Sequence, residues 1–365
     1  MSFLREWTSL AESGSGERGI FNRQAATKQA AKNGRRDPNY EWGCNPCSEI
    51  LLRGPKIDKN GQPVTGTGGQ FCNLSEVIIR ATDTKKDLLR KVRIATILGT
   101  VQSTYTKFPY LRKIWSKNTA EERLLGVSLT GIMDNELTNG KKGDLPALLE
   151  ELKQCAVDTN KEWADRLGIE VSTAISCCKP SGTVSQLTDS SSGIHARHSP
   201  YYIRTVRGDN KDPLTEFMIS QGIPNEPEVN KPTQTTVFSF PIKAPDNSVV
   251  TADMSAIDQL NMWLIYQRHW CEHKPSVTVN IKSNEWMEVG AFVYEHFDEM
   301  SGVSFLPFFE HTYRQAPYQD CDKDTYDAML AQMPDAIDWA KLSDFETEDA
   351  TKSSQTFACT GDVCE

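Results

Sequence analysis

The stretch EWGCNPCSEI, residues 41 to 50, holds two cysteines, an asparagine and a glutamate within six positions. Cys47 has an amide two residues before it, Asn45, and a carboxylate two residues after it, Glu49. In extended backbone, side chains two apart share a face, so all three can be presented together. They would supply a redox-capable sulfur, a proton acceptor and a neutral hydrogen-bonding anchor. Cys44 and Cys47 also form a CxxC. Zinc would need a second ligand pair of similar spacing, whereas Cys177 and Cys178 are adjacent and neither His269 nor His273 has a cysteine pair arranged around it. A thioredoxin-like dithiol would need a helix directly after the CxxC, and the residues following Ile50 do not supply one. Cys155, Cys271 and Cys321 are read as buried, unreactive thiols.

Two further stretches carry chemistry. PSGTVS, Pro180 to Ser185, follows the β-type run TAISCC and offers Gly182 for flexibility, the hydroxyls of Ser181, Thr183 and Ser185, and successive backbone N–H groups. An ordinary turn has the same composition, but at a strand end the pattern suits a phosphate. At the C-terminus, ACTGDVCE places Cys359 and Cys364 on an acidic, Ser/Thr-rich segment starting near Leu342. It reads as a flexible tail whose roughly 18-residue arm has a root-mean-square reach of about 23 Å.

The elements that must position these groups show in the periodicity. Leu88, Leu89, Val92, Ala95, Leu98 and Val101 predict a helix over 85–106 with that face buried. Leu148, Leu149, Leu152, Ala156, Thr159 and Trp163 predict another over 145–167, ended by Gly168. Further helices are predicted near 255–271 and 284–298, and strands at 173–178, 201–206, 235–240, 276–281 and 303–308. Residues 1–40 read as turns around short helical pieces, and 51–70 as an exposed loop or hairpin. Strands separated by helices point to an α/β architecture with much of the sheet parallel and sites at strand ends. The 365 residues, 38% hydrophobic, allow a sizeable core. The net charge of −9 argues against a nucleic-acid-coating surface. No stretch approaches the roughly 18–20 apolar residues of a membrane span, and the N-terminus lacks the apolar run of a signal peptide. Ten cysteines on such a chain read as reduced thiols, and the expected location is the cytoplasm.

Taken in order, NPCSEI, FCNLSEV, KPSGTVSQLTDSSSGIHARHSPYYIRTVR, HWCEHKPSVTVNIK, SFLPFFEHTYRQAPY and the terminal CTGDVC resemble the large catalytic chain of ribonucleotide reductases, most of all the adenosylcobalamin-dependent, monomer-type triphosphate reductases. The resemblance implies that Cys47 is the thiyl radical that removes the ribose 3′ hydrogen. It implies that Glu49 takes the 3′-hydroxyl proton and that Asn45 holds substrate hydroxyls. Cys72 would be one of the two thiols that supply electrons as the 2′ hydroxyl leaves as water. Pro180, Ser181, Gly182, Thr183 and Ser185 would cradle the substrate phosphates. Cys359 and Cys364 would re-reduce the active-site disulfide and be reduced in turn by a thioredoxin-like donor. Phe308 and Phe309 stand where the diiron-dependent class carries adjacent tyrosines, and the cysteine-glycine-tyrosine ending of the glycyl-radical class is absent, so the implied cofactor is adenosylcobalamin, with no protein metal site.

The implied fold is the second half of a ten-stranded α/β barrel with its catalytic finger loop over 1–341, followed by a redox tail over 342–365. Family members carry a long segment ahead of the matched residues, holding the first half-barrel, effector loops and second active-site cysteine. The expectation is a split enzyme whose N-terminal half is separately encoded. Cys44 or Cys177 replacing the missing cysteine is the lesser alternative. An inactive or regulatory nucleotide-binding fragment and a different thiol or radical oxidoreductase stay open. Retention of Asn45, Cys47, Glu49, Cys72, Cys359 and Cys364 argues against the first, and the phosphate-type loop against the second.

Overall fold

Gly168 adopts the left-handed φ of +64° that ends a helix, and Asp144 caps the other end by accepting from the Ala147 N–H, so the 145–167 periodicity becomes one helix with the bounds the sequence implies. The structure, a computed structural model, describes residues 2–14, 16, 18–308 and 313–347. In chain order it runs α1 (Ser2–Ser13), β1 (Gly19–Ile20), α2 (Arg23–Ala31), β2 (Tyr40–Cys44), β3 (Leu51–Ile57), β4 (Pro63–Val64) and β5 (Asn73–Ile78). Next come α3 (Lys85–Gln102), α4 (Lys113–Glu122), β6 (Leu125–Thr130), α5 (Leu145–Leu167), β7 (Ser176–Cys177) and α6 (Thr183–Leu187). The rest is β8 (Tyr201–Asp209), α7 (Pro213–Ser220), β9 (Asn225–Pro227), β10 (Thr235–Lys243), α8 (Ala256–His269), β11 (Thr278–Ile281), α9 (Trp286–Glu295), β12 (Val303–Pro307), β13 (Tyr318–Asp320) and α10 (Lys323–Leu330).

The chain divides into two units, one drawn from 1–197 with 245–309 and the other from 198–244 with 310–365. In the first, β5, β6 and β7 are parallel neighbours, as are β11 and β12, and a parallel bridge between Cys178 and Pro275 links the two sets. β1 closes the β12 edge antiparallel. Every residue of β6 is buried, which fits the middle strand of a parallel sheet covered by helices. Its Val127 and Leu129 share a core with Leu149 and Leu152 of α5, Trp263 of α8 and Phe305 of β12.

The second unit departs from the parallel expectation. β8 and β10 pair antiparallel from Tyr201↔Lys243 to Asp209↔Thr235, flanked by β13 and β9. Helix α7 lies between them in sequence, and strand–helix–strand order alone does not reveal that the chain returns antiparallel. Phe217 of α7 packs against Trp339 and Phe345.

α3 also turns differently from its predicted face. The buried residues are Leu88, Val92, Ala95, Thr96, Gly99 and Thr100, while Leu98 and Val101 are exposed. A Cβ on Gly99 would lie 3.4 Å from Leu125 Cδ2, so small residues set how near the helix comes to the sheet. Thr96 and Thr100 satisfy their hydroxyls on the carbonyls of Val92 and Thr96. Counting only apolar side chains therefore rotates the expected face. Among the described residues no helix is long and apolar enough to cross a membrane.

Candidate active site

The stretch 41–50 folds as the end of a β-hairpin, with Cys44 of β2 paired to Leu51 of β3. The base of this hairpin is tied down by ions. Arg36 donates to both oxygens of Glu122 at 2.9 and 2.6 Å and to the Leu51 carbonyl at 3.0 Å. Arg53 reaches the same carboxylate at 3.3 Å, and Gln70 Nε2 donates to it at 2.8 Å. Burial opposes ionisation of Glu122, but the Arg36 hydrogen bonds and the charges of Arg36 and Arg53 hold its carboxyl below the usual range. The arginines stack over Trp42 and Tyr40, at 4.3 and 4.4 Å from the ring centres.

His273 couples the hairpin to the parallel sheet. Its Nδ1 accepts the Leu51 N–H at 3.3 Å and its Nε2 meets the Leu125 carbonyl at 2.9 Å, an arrangement for the neutral ring with the proton on Nε2. Burial, with the Arg36 charge adding, lowers its pKa to about 3.

The tip is arranged differently. Residues 45–49 are not extended, as the shared-face expectation requires. Ser48 N–H donates to the Asn45 carbonyl at 2.8 Å, closing a turn with Pro46 and Cys47 at its centre, and Ser48 takes a left-handed φ of +68°. Proline at the second position favours this turn over a continuing strand. Cys47 is exposed at the turn. Glu49 is fully buried, and among the described residues neither of its carboxylate oxygens has a hydrogen-bond partner. Asn45 Oδ1 accepts the Ile50 N–H at 3.0 Å, which leaves the amide Nδ2 as the donor of that side chain.

Cys72 comes to the same place from the start of β5. A Cβ on Gly126 of β6 would lie 3.3 Å from Cys72 Sγ and 2.9 Å from Ile50 Cδ1, so thiol and finger loop meet over a glycine that leaves them room. Burial pushes the Cys72 thiol far up, with the Glu49 charge adding. Cys177 is buried too, and its thiol is pushed up first by that burial and then by the Glu49 charge.

Glu76 on β5 links the finger loop to PSGTVS. Burial raises its carboxyl and the Glu49 charge adds to this, while Ser181 and Lys179 oppose it. Ser181 is buried; Gly182 and Thr183 are exposed; Pro180 is half-buried. Ser185 is buried with its hydroxyl on the carbonyls of Ser181 and Gly182, the latter at 2.9 Å. The structure thus puts Asn45, Cys47 and Glu49 on one turn, Cys72 beside Ile50 at the end of that turn, and the 180–185 segment next to Glu76. Cys359, Cys364 and Phe309 lie outside the described residues.

Sequence reasoning missed Glu76, Lys179, His273 and Lys274 as parts of the site. Glu76 alternates correctly with Cys72 and Leu74 for one face of a strand, and Lys179 directly precedes PSG. The sequence marks His273 only as a residue type that can bind metal, whereas its useful property is a buried neutral ring.

No protein-family model matches the chain. It is 28% identical to the adenosylcobalamin-dependent ribonucleoside-triphosphate reductase of Lacticaseibacillus paracasei, over 98% of this chain and 50% of that one. The enzyme of the same name from Euglena gracilis is 26% identical over 94% of this chain and 45% of its own length. The chain thus spans about half the length of the curated relatives it matches. The crystal structure of a B-12 dependent (class II) ribonucleotide reductase superposes with a TM-score of 0.71 at 23% identity, covering 85% of this chain and 45% of that one. The alpha subunit of the Actinobacillus ureae class Id ribonucleotide reductase follows with a TM-score of 0.50 at 13% identity over 83% of this chain. Along nearly its whole length the chain is similar to adenosylcobalamin-dependent ribonucleoside-triphosphate reductases, and it shares the fold of somewhat under half of a class II ribonucleotide reductase chain.

Proposed function

We propose that this chain carries the thiol chemistry that reduces ribonucleoside triphosphates to 2′-deoxyribonucleoside triphosphates. One observation supports the reading above the others: a buried carboxylate with no hydrogen-bond partner among the described residues, Glu49, two residues from an exposed thiol, Cys47. A buried carboxylate without hydrogen bonds is costly, and such groups concentrate where a proton must be taken.

Cys47 gives up its S–H hydrogen atom and then removes the 3′ hydrogen of the ribose. Glu49 accepts the 3′-hydroxyl proton, and Asn45 Nδ2 donates to a substrate hydroxyl. The 2′ oxygen leaves as water. Two thiols each lose a hydrogen and become a disulfide, so ribonucleotide plus dithiol gives deoxyribonucleotide, water and disulfide. Cys72 is one of the pair. Its strongly raised pKa keeps it a thiol, the form that delivers hydrogen. Return of the 3′ hydrogen restores Cys47. Pro180, Ser181, Gly182, Thr183 and Ser185 form the phosphate segment, with Lys179 as its nearby cation.

Adenosylcobalamin, when bound, supplies the carbon radical that starts the cycle. Exposure of Cys47 at the turn fits an initiator arriving from outside the chain. In the finer reading, Cys359 and Cys364 carry electrons from a thioredoxin-like donor, in the cytoplasm. On this reading the matched part works together with the half of the relatives' length that it does not cover. On this reading 1–341 is the barrel part and 342–365 the redox tail.

The test is anaerobic purification from native lysate with any co-purifying chain, assayed for deoxynucleotides with and without adenosylcobalamin. Cobalamin-dependent product lost in Cys47→Ser, with nucleotide binding retained, is the expected result. Product surviving that substitution would remove the thiyl assignment, and no product from the wild-type complex would favour a nucleotide-binding fragment.

A further inference from the structure

Lys274 is fully buried, and among the described residues no carboxylate lies in ion-pair range of its ammonium. Its Nζ donates to Ser48 Oγ at 2.8 Å. The Phe21 ring centre stands 5.9 Å away, a cation–π contact that partly replaces lost water. A Cβ on Gly302 would come within 2.3 Å of Nζ, so the absence of a side chain there leaves the volume the ammonium fills.

The backbone around Lys274 also holds the finger turn. Lys274 N–H donates to the Glu49 carbonyl at 3.3 Å, and Ser276 Oγ donates to the Cys47 carbonyl at 2.5 Å. Pro275 between them bridges to Cys178, which anchors this segment on the parallel sheet. The main chain on either side of Ser48 is thus pinned by 274–276, and Ser48 itself by the lysine side chain. Ser48 needs such a hold, because a left-handed φ of +68° is unfavourable for a residue with a Cβ.

We propose that Lys274 is a positioning residue for the Cys47 turn: its ammonium, donating to Ser48 Oγ, holds the left-handed Ser48 that puts Cys47 on the open side and Glu49 on the buried side. Removal of the lysine frees the turn to relax toward an ordinary conformation. The consequence for turnover rests on the reductase reading; the clamp itself does not. Burial, partly offset by Cys44 and Glu49, lowers the Lys274 pKa to about 8, which leaves the ammonium as the main form at neutral pH.

The test compares Lys274→Met, Ser48→Ala and the double variant in a Cys44→Ser background, by the rate of iodoacetamide alkylation at Cys47 read from peptide masses. Each single change is expected to alter that rate about threefold or more, the scale of one hydrogen bond, and the double to match the larger single. Methionine fills the lysine's volume without a charge, so Lys274→Met is expected to unfold at or above the wild-type temperature. Altered reactivity at undiminished stability is the mark of positioning rather than packing. Where Lys274→Met unfolds too readily to assay, Ser48→Ala decides alone. Unchanged Cys47 alkylation in Ser48→Ala, or additive effects in the double variant, would overturn the clamp. With the full complex, Lys274→Met is expected to lower kcat more than it raises KM. A wild-type complex without ribonucleotide reduction would remove the reductase reading, and the alkylation rates would still decide the clamp.

Discussion

The base and the tip of one hairpin solve opposite problems. At the base, Arg36, Arg53 and Gln70 converge on Glu122, and a buried carboxylate is surrounded by donors. At the tip, Glu49 is as deeply buried and has none among the described residues. The two carboxylates are held on one piece of chain, yet one is immobilised as an ion and the other is left with its oxygens unclaimed. A carboxylate already saturated with charged donors is a poor proton acceptor, so Glu122 suits anchorage and Glu49 suits chemistry. The tied base and the 274–276 segment together hold the costly tip in place.

The largest way to break that contrast is acid, acting on His273. The folded state holds its pKa at about 3 against 6.5 for the free side chain. Below about pH 6.5 the unfolded chain takes up a proton that the folded chain refuses. The stabilisation is therefore complete above pH 6.5 and declines as pH falls toward 3, at about 1.4 kcal/mol per pH unit and on the order of 5 kcal/mol in full. Urea midpoints between pH 6.5 and 5 are expected to fall in the wild type and to lose this component in His273→Gln. Equal slopes in both would show that another group sets the pH response.

Next in size is the base itself. Arg36→Met leaves Glu122 buried with a weakened partner set and removes the donor to the Leu51 carbonyl, so a loss of about 3–5 kcal/mol is expected. Urea denaturation measures it. A loss below about 1 kcal/mol would mean that Arg53 and Gln70 alone satisfy the carboxylate, and the base would no longer stand apart from the tip.

The two ends also differed in how far the sequence disclosed them. Leu145–Leu167 was readable end to end, because its apolar face is made of large side chains and Gly168 ends it. The α3 face was misplaced because Thr96, Gly99 and Thr100 pack by being small. β6, LGVSLT, was missed since a fully buried strand has no alternation to detect. At the site, Asn45, Cys47 and Glu49 stood out by residue type and spacing, while Cys72 came in only through the family resemblance, which also gave all four their roles. Their geometry did not follow, since i, i+2 spacing suggests a strand while Pro46 and the left-handed Ser48 make a turn. Lys274 and His273 were invisible as site residues, because what matters is burial opposite a loop more than two hundred positions earlier, and no local pattern encodes that.

Gly126 sharpens the contrast from below. A Cβ there would stand 2.4 Å from Leu74 Cδ2 and 2.9 Å from Ile50 Cδ1. Leu74 is partly exposed and can swing aside, whereas Ile50 is buried and bonded through its N–H to Asn45. Gly126→Ala is expected to cost about 1–3 kcal/mol by overpacking and to displace Ile50. Cys72 alkylation in the folded protein reports the displacement. An unchanged rate would mean that Leu74 absorbs the whole clash and that the tip is not seated on β6.

The smallest expected change in stability belongs to Glu49, and its direction carries the argument. Glu49→Gln keeps the shape and replaces a buried carboxylate that has no hydrogen-bond partner among the described residues, so the folded protein is expected to be unchanged or more stable by about 1 kcal/mol. The matching change at the base, Glu122→Gln, is expected to destabilise, since two arginines then face a neutral amide. Opposite signs for the same chemical change on one hairpin would show that Glu122 is kept for the fold and Glu49 for what the fold does. If Glu49→Gln destabilises as Glu122→Gln does, Glu49 has a partner in solution that holds it as a structural ion, and the proton-accepting role passes from it to another group.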